Sequence, residues 1–198
     1  HEADIRIGTQ MIGKGHDFGN GTLVGIMAAD LSLNTPDYRC SERTFQLLTQ
    51  AAGRAGRGSL SGNVVIQTYQ PEHYAIVTAA EQNYEEFYRR EMLYRKMMNY
   101  PPACYMEAVL FAGNNEKTVE RCSDLALLTV RKMGYEENEI QMIGPVRAPV
   151  YKVNDIYRKI LYIKSKNCDI LDKIRRNIEL LAAGDEGFKS LALQFDIS

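Results

Sequence analysis

The chain has 198 residues, 45% of them hydrophobic and 25% charged, which is the composition of a globular protein with a buried core. It has no run of about 18 apolar residues that could cross a bilayer, and its opening HEADIRIG is no secretory signal, so a cytoplasmic location is predicted. The formal net charge of −1 excludes a chain that is basic throughout, and only the distribution of charge can indicate a partner.

Alternating strand and helix patterns fill residues 1–80. Apolar runs predict short strands at 4–9, 23–28 and 64–69. A helix is predicted over 41–52, with Ser41 as its N-cap. Continuous apolar strands beside a helix favour a parallel sheet that is covered on both faces. Since three strands and one helix form only a small sheet, this segment is expected to be part of a larger domain.

Residues 81–102 carry a second helical pattern, which is predicted to form a connecting helix. Aromatic residues and methionines recur near helical spacing, and Pro101 and Pro102 end the pattern. Side chains of this kind are more often packed against a neighbour than arranged as a ligand cage. We therefore expect this helix to lie against another part of the protein.

Residues 103–198 are predicted to form a two-layer α+β domain with an element order of βαββαβ or nearly so. Strand patterns lie at 106–112, 140–143, 146–153, 158–164 and 191–197. Helix patterns lie at 116–133, which Gly134 ends, and at 168–183, which Asn167 caps. Two helices on one face of an antiparallel sheet would bury the apolar side of each element.

The cysteines are predicted to be reduced thiols, mostly packed in the core. A chain of this size needs no disulfide, and their separations match no zinc-ligand spacing. They are Cys40, Cys104, Cys122 and Cys168.

One segment of the second domain is strongly basic. Residues 150–178 contain eight basic and three acidic side chains, a net charge of +5. A polyanion could bind there. The alternative is that these side chains form an ordinary solvated face, and the sequence leaves both possibilities open.

Two short stretches carry a candidate chemistry for phosphate groups. The first, GTQMIGKGHDF at residues 8–18, has two glycines that would let the backbone approach an anion closely. Alone, such a Gly-x-Gly is more often a turn than a phosphate site. The second, QAAGRAGRG at residues 50–58, sets Arg54 and Arg57 among small residues, so that both guanidinium groups can reach across a cleft to phosphate oxygens.

Together and in this order, the two stretches resemble motifs V and VI of superfamily 2 helicases. The residues that match motif V are Thr9, Lys14, Gly15 and Asp17. Those that match motif VI are Gln50, Gly53, Arg54, Gly56 and Arg57. The flanking QTYQPEHYAI and MMNYPP narrow the resemblance to the PriA family of replication-restart helicases, and it extends over the whole chain.

The resemblance implies that residues 1–80 are the back half of a second RecA-like helicase lobe, of the P-loop NTPase type. Arg54 and Arg57 would then contact the γ-phosphate of ATP as arginine fingers, while Gln50 would orient groups beside it. The implied nucleotide-binding set from this lobe is Gly15, Asp17, Gly53, Arg54 and Arg57.

In that family ATP and Mg²⁺ are held mostly by a first lobe, and zinc by a cysteine cluster, and neither part occurs in these residues. No metal site is therefore predicted in this chain, which alone is expected to be inactive. The longer protein is implied to be an ATP-dependent 3′-to-5′ DNA helicase that restarts replication at stalled or repaired forks.

The partners implied by the resemblance are single-stranded and forked DNA, the single-stranded DNA-binding protein and other primosome proteins, in the nucleoid of a bacterium. The implied DNA-binding residues are Thr9, Lys14, Lys152 and Arg158. The implied contacts to the single-stranded DNA-binding protein are Lys164, Lys166, Arg175 and Arg176. No membrane contact is expected.

Two alternatives stay open. The α/β part could belong to another superfamily 2 translocase of the RecG type, although the βαββαβ tail argues against this. The isolated chain could also act only as a module that binds DNA or protein, without catalysis.

Overall fold

The computed structural model describes residues 5–8, 22–53, 55 and 61–198. The chain divides into two compact units, His1–Leu93 and Tyr94–Ser198. This boundary lies inside the segment 81–102 that the sequence predicts as a connecting helix. No helix in the described part is long and apolar enough to cross a membrane.

A short parallel sheet organises the first unit. Strand β1 (Leu23–Ile26) pairs in parallel with β2 (Asn63–Ile66), as the sequence predicts. The helices that accompany this sheet are α1 (Asp30–Leu33), α2 (Cys40–Ala52), α3 (Tyr74–Ala80) and the first part of α4 (Tyr84–Met97).

Helix α4 is fixed to the first unit by aromatic packing. Phe87, which is buried, stacks on Phe45 of α2 with the two ring centroids 4.2 Å apart. The Tyr74 hydroxyl donates a hydrogen bond to Glu91 at 2.6 Å. Phe87 is thus packed in the core, whereas Tyr84 and Tyr88 of the same predicted stripe are 63% and 54% exposed, so the stripe is packed only in part.

Two local expectations for the first unit were wrong. The helix over 41–52 starts one residue earlier, so Ser41 is a buried residue inside α2 and does not cap it. Residues 5–8 form no strand. The rest of the predicted strand 4–9 lies outside the described residues.

The second unit is the predicted two-layer α+β fold. Its elements follow the order βαββαβ: β3 (Tyr105–Gly113), α5 (Glu116–Lys132), β4 (Ile140–Val153), β5 (Ile156–Ser165), α6 (Cys168–Gly184) and β6 (Ala192–Ile197). The strands form one antiparallel sheet in the order β4-β5-β3-β6. Both helices pack on the same face of this sheet, as the apolar periodicity predicts.

Alternate residues of the central strands build the core of the second unit. Phe111 of β3, Leu161 of β5 and Ile174 of α6 are all fully buried there. Burying one such side chain contributes about 1.5–3 kcal/mol, so this layer supplies most of the domain's cohesion. Asn167 caps α6 by accepting a hydrogen bond from the Asp169 amide at 2.9 Å, as predicted.

Strand β4 is one long strand, where the sequence predicts two. The pairing register with β5 shifts between Ile143 and Val146, which marks a β-bulge at Gly144. Gly144 has a φ of +103°, and a Cβ there would lie 2.8 Å from the carbonyl oxygen of Ile160. Glycine lets the strand bend at this point and continue, so both predicted segments belong to one element.

Candidate nucleic-acid interface

The hairpin formed by β4 and β5 carries the first part of the basic segment 150–178, and the rest of that segment lies in α6 and just before it. Its loop is Asn154-Asp155, and both residues have positive φ values, 48° and 59°. This is the pattern of a two-residue type I′ turn, which matches the twist of the flanking strands. Val153 therefore pairs directly with Ile156, and the register of the whole hairpin end is fixed.

Cations and tyrosines alternate along this end of the hairpin. The Arg147 guanidinium carbon lies 4.4 Å from the ring centroid of Tyr151, and the Lys152 Nζ lies 4.9 Å from that of Tyr157. The two tyrosine rings meet edge to face, with their centroids 5.8 Å apart. Such cation–π contacts hold flexible basic side chains in fixed positions.

An irregularity in β4 makes this cluster possible. In a regular strand, Tyr151 and Lys152 would point to opposite faces of the sheet. The pairing register shifts between Arg147 and Lys152, so both side chains contact Tyr157 on β5.

Acidic side chains balance part of the positive charge. Glu116, in the first turn of α5, accepts a hydrogen bond from the Tyr151 hydroxyl at 2.5 Å and lies 3.9 Å from Arg147 Nη2. Lys152 pairs with Asp155 across the turn at 2.8 Å. The hydrogen bond to Glu116 raises the pKa of Tyr151, and the one from Lys152 lowers the pKa of Asp155.

Most of these ion pairs are open to solvent. The Arg147 side chain is 71% exposed and that of Glu116 is 47% exposed. Exposed ion pairs contribute little to stability, because water and salt screen them. These ion pairs are therefore not what holds the hairpin together.

Arg158 lies on the other face of the hairpin. Leu161 and Ile163 point into the core and lie three and five residues after Arg158, and an odd separation along a strand places side chains on opposite faces, so Arg158 points away from the helices. It is half-buried and forms no ion pair with a described residue. The predicted DNA-binding pair Lys152 and Arg158 thus presents positive charge on both faces of one hairpin.

Lys164 does not have the solvent-facing position expected for a contact to a partner. Its side chain lies under the ring of Tyr100, with Nζ 3.5 Å from the ring centroid, and donates a hydrogen bond to the Met98 carbonyl at 3.1 Å. Lys164 is only 3% exposed, and burial lowers its pKa. The structure gives Lys164 a packing role, and a docked peptide cannot reach it.

Arg175 is also committed to the protein's own structure. Its Nε and Nη2 both donate to Oε1 of Glu107, at 2.7 and 2.6 Å. Glu107 is fully buried, and burial raises the pKa of its carboxyl although the hydrogen bonds from Arg175 oppose that shift. Two further acids, Asp172 and Glu179, act on Arg175 from its own helix.

The other two residues predicted to bind a partner remain accessible. Lys166 just before α6 and Arg176 within it are exposed, and neither forms an ion pair with a described residue. Their role in binding stays a prediction.

The residues implied to contact ATP fall mostly outside the described part. Gln50 is an exposed residue near the end of α2, and Gly53 follows that helix as its C-cap. Thr9, Lys14, Gly15, Asp17, Arg54, Gly56 and Arg57 lie outside the described residues.

No group of three or more potential metal ligands occurs among the described residues. Cys104 and Cys122 are buried free thiols, and burial raises the pKa of Cys122 to about 11. Such thiols are protonated and unreactive at neutral pH.

Sequence reasoning gave no individual role to Arg147, Tyr151, Glu116 or Glu107. A signal for Glu107 was present, since the period of two along β3 places it on the same face as Val109 and Phe111. A carboxylate at a core position needs a cationic partner, and α6 offers one. No comparable pattern marks Glu116, because its contact with β4 depends on how the helix packs.

Fold and hairpin together define a two-layer α+β domain with an exposed surface of cations and tyrosines. Residues 96–197 match the family described as Primosomal protein N C-terminal domain. The chain belongs to this family, because the match covers more than half of its length.

Proteins from several bacteria that are similar in sequence to this chain share one name. The chain is 41% identical over 182 residues to the Replication restart protein PriA of Bacillus subtilis, which covers 89% of this chain and 22% of the relative. It is 42% identical over 164 residues to the protein of that name from Synechocystis, and the match covers 82% of this chain and 19% of that relative. For Borreliella burgdorferi the identity is 36% over 174 residues, with coverages of 87% and 26%. The chain thus spans about a quarter or less of the length of these relatives.

Proposed function

We propose that the second unit binds the sugar-phosphate backbone of DNA through the β4–β5 hairpin, as the C-terminal part of a replication-restart protein. The observation that carries the proposal is the set of cations on one hairpin, with the exposed Arg147 and Lys152 on one face and the half-buried Arg158 on the other. Tyrosines beside these cations add flat surfaces on which unpaired bases can stack.

Phosphate contacts of this kind bind without reading sequence. Arginine favours such contacts because its planar fork of donors matches two phosphate oxygens, whereas lysine acts as a point charge. The proposed ligand is therefore single-stranded or forked DNA of any sequence, in keeping with a protein that acts wherever a fork has stalled.

For the longer protein we propose ATP-dependent 3′-to-5′ helicase activity that leads to primosome assembly in the bacterial cytoplasm. The resemblance of residues 8–18 and 50–58 to helicase motifs V and VI supports this proposal, as does the name shared by the relatives. In this proposal the first unit is part of a RecA-like lobe, and Arg54 and Arg57 act on ATP and Mg²⁺ bound elsewhere in that protein. A zinc cluster would likewise lie outside this chain.

The helicase proposal is tested in the longer protein. Arg57→Ala should lower the DNA-stimulated kcat for ATP hydrolysis about 100-fold or more, with little change in nucleotide affinity, because an arginine finger acts mainly in the transition state. A variant with normal turnover would remove this assignment.

A second proposal concerns the single-stranded DNA-binding protein. Lys166 is an exposed cation just before α6, where the helix dipole also favours an acidic ligand, and Arg176 is an exposed cation two turns along the same helix. We propose that they bind an acidic peptide weakly. Peptide affinity should fall in a Lys166→Glu/Arg176→Glu variant and at higher salt, and equal affinity for both proteins would contradict the proposal.

Titration of labelled DNA with the 198-residue chain tests the hairpin proposal. Arg158→Ala and Lys152→Ala should each weaken binding about threefold to tenfold and flatten the dependence of affinity on salt, since each loses one phosphate contact. Lys132→Ala removes the same charge at the exposed far end of α5 and is the matched control. If Lys132→Ala weakened DNA binding as much as the hairpin variants do, only the overall charge of the protein would matter.

A further inference from the structure

The side chains of Arg147, Tyr151 and Glu116 form a small cluster where the first turn of α5 meets β4. Two donors in it, the Arg147 guanidinium and the Tyr151 hydroxyl, converge on one acceptor, the Glu116 carboxylate. The guanidinium also rests on the Tyr151 ring, which fixes its position relative to the hydroxyl. The cluster is therefore a preformed pair of donors with an anion held between them.

The Glu116 carboxylate satisfies these donors unequally. Tyr151 makes a short hydrogen bond to Oε1, whereas Arg147 Nη2 stays 3.9 Å from the same oxygen. That distance is at the outer limit of an ion pair and too long for a hydrogen bond. The guanidinium has five N–H donors and a carboxylate at this distance does not engage them, so Arg147 retains capacity for a second anion.

A phosphate group suits this arrangement better than the carboxylate does. It offers more acceptor oxygens in a tetrahedral arrangement, and a guanidinium can bind two of them in parallel. The phosphate chemistry could come from a nucleic-acid backbone or from a free phosphate ion. Lys152 lies beside this cluster, because it contacts Tyr157 and the Tyr157 ring meets that of Tyr151, and a second cation so close favours a chain of phosphates over a single ion.

We propose that Arg147 and Tyr151 form a phosphate subsite and that Glu116 occupies it as a built-in competitor until a backbone phosphate displaces it. This inference rests on the proposed DNA-binding function of the hairpin. Glu116 thereby sets the affinity: a single weak anion fails to displace it, whereas DNA held by the other hairpin cations does.

A second ion pair on the same helix supplies a matched control. Glu120 lies one turn further along α5 and pairs with Lys159 at 3.5 Å. The Lys159 side chain is only 13% exposed and is also close to Asp124, so it cannot offer a phosphate site. Glu120→Gln removes the same charge from the same helix without opening a subsite.

The experiment measures the affinity of the 198-residue chain for labelled single-stranded DNA at fixed salt. Glu116→Gln keeps an acceptor for Tyr151 but removes the competing charge, so affinity should rise about twofold to fivefold. Glu120→Gln should raise it by a smaller factor. In an Arg147→Ala background the gain from Glu116→Gln should disappear, because the subsite is then lost.

The outcomes separate this inference from the proposed function. Equal gains from Glu116→Gln and Glu120→Gln, or a gain that survives Arg147→Ala, would overturn the inference and leave DNA binding intact. No DNA binding by either the wild-type chain or Glu116→Gln would overturn both. The same titration is repeated with inorganic phosphate or with chloride at equal ionic strength. If phosphate weakens DNA binding more than chloride does, the subsite is assigned to the free phosphate ion, and the assignment to a backbone phosphate is contradicted.

Discussion

Two guanidinium–carboxylate pairs in the second unit show how burial decides what an arginine can do. The Arg175–Glu107 pair has contacts of 2.6 and 2.7 Å, and its carboxylate is fully buried between the sheet and α6. The Arg147–Glu116 pair is separated by 3.9 Å and both side chains are largely open to solvent. The first pair is part of the fold, whereas the second contributes little to stability, and this is why we propose that a ligand can displace Glu116.

This contrast divides the basic segment that the sequence identifies. Its net charge of +5 suggests one continuous surface that binds a polyanion. In the structure Lys164 and Arg175 serve packing, while Lys152, Arg158, Lys166 and Arg176 remain accessible. Binding is therefore expected at the hairpin and around Lys166 and Arg176, not along the whole segment.

The largest effect is expected from Arg175→Met, which leaves the buried Glu107 carboxylate without its cation. Unfolding by urea should show a loss of about 2–4 kcal/mol, below the upper range for such changes because the Arg175 side chain is 31% exposed. The neighbouring Arg176→Met should change stability by less than about 0.5 kcal/mol. Equal losses from both variants would contradict the structural role of the Arg175–Glu107 pair.

A double variant sharpens the same point. Glu107→Leu combined with Arg175→Met removes both charges, and it should recover much of the stability lost in Arg175→Met alone. A double variant no more stable than the single one would show that packing around Arg175, rather than its charge, is what matters.

The next largest effect is expected at Lys164. Lys164→Glu places a carboxylate against the Tyr100 ring and removes the donor to the Met98 carbonyl, so a loss of about 1–3 kcal/mol is expected. Lys166→Glu makes the same charge change at an exposed position and should leave the urea midpoint nearly unchanged. If the two variants unfold alike, Lys164 is a surface residue after all.

A smaller effect concerns pH. Because burial raises the pKa of Glu107 above its ordinary 4.5, the folded state holds this proton more tightly than the unfolded state. The stability of the wild type relative to Glu107→Gln should therefore fall as pH rises from 4.5 through the raised pKa, and it should be constant above it. Urea unfolding of both proteins across this range measures the difference, and a difference that grows with pH would reverse the assigned direction.

The smallest effect is expected at the hairpin. Lys152→Ala removes an exposed ion pair with Asp155, so the urea midpoint should not change measurably even though DNA affinity falls. Circular dichroism and DNA titration of the same sample provide the two readings. If the urea midpoint and the DNA affinity both fell, Lys152 would support the fold and its effect on binding would be indirect.

Local sequence signals predicted most of the second unit. Apolar periodicity located both helices and the outer limits of the sheet, and Asn167 marked the start of α6. Helix α3 was missed because it has only seven residues, which is too short for a clear period. The single long β4 was missed because Gly144 and Pro145 are residues that usually end a strand, whereas in the structure they form a bulge within it.

The candidate site was only partly predictable. Lys152 and Arg158 could be proposed from the resemblance together with the positive charge of their segment, although their role in binding DNA stays a prediction. The burial of Lys164 depends on the loop that brings Tyr100 over it, and the position of Glu116 depends on the packing of α5 against β4. Contacts of this kind join residues far apart in sequence, and no spacing rule encodes them.

The most direct test of the central claim is to locate the DNA on the protein. Two-dimensional NMR spectra of the isotope-labelled 198-residue chain, recorded during titration with a short single-stranded DNA, report on each backbone amide. The largest shifts are expected between residues 146 and 158, with the first turn of α5 following. Shifts confined to other surfaces, with the hairpin amides unchanged, would contradict the assignment of the β4–β5 hairpin as the nucleic-acid interface.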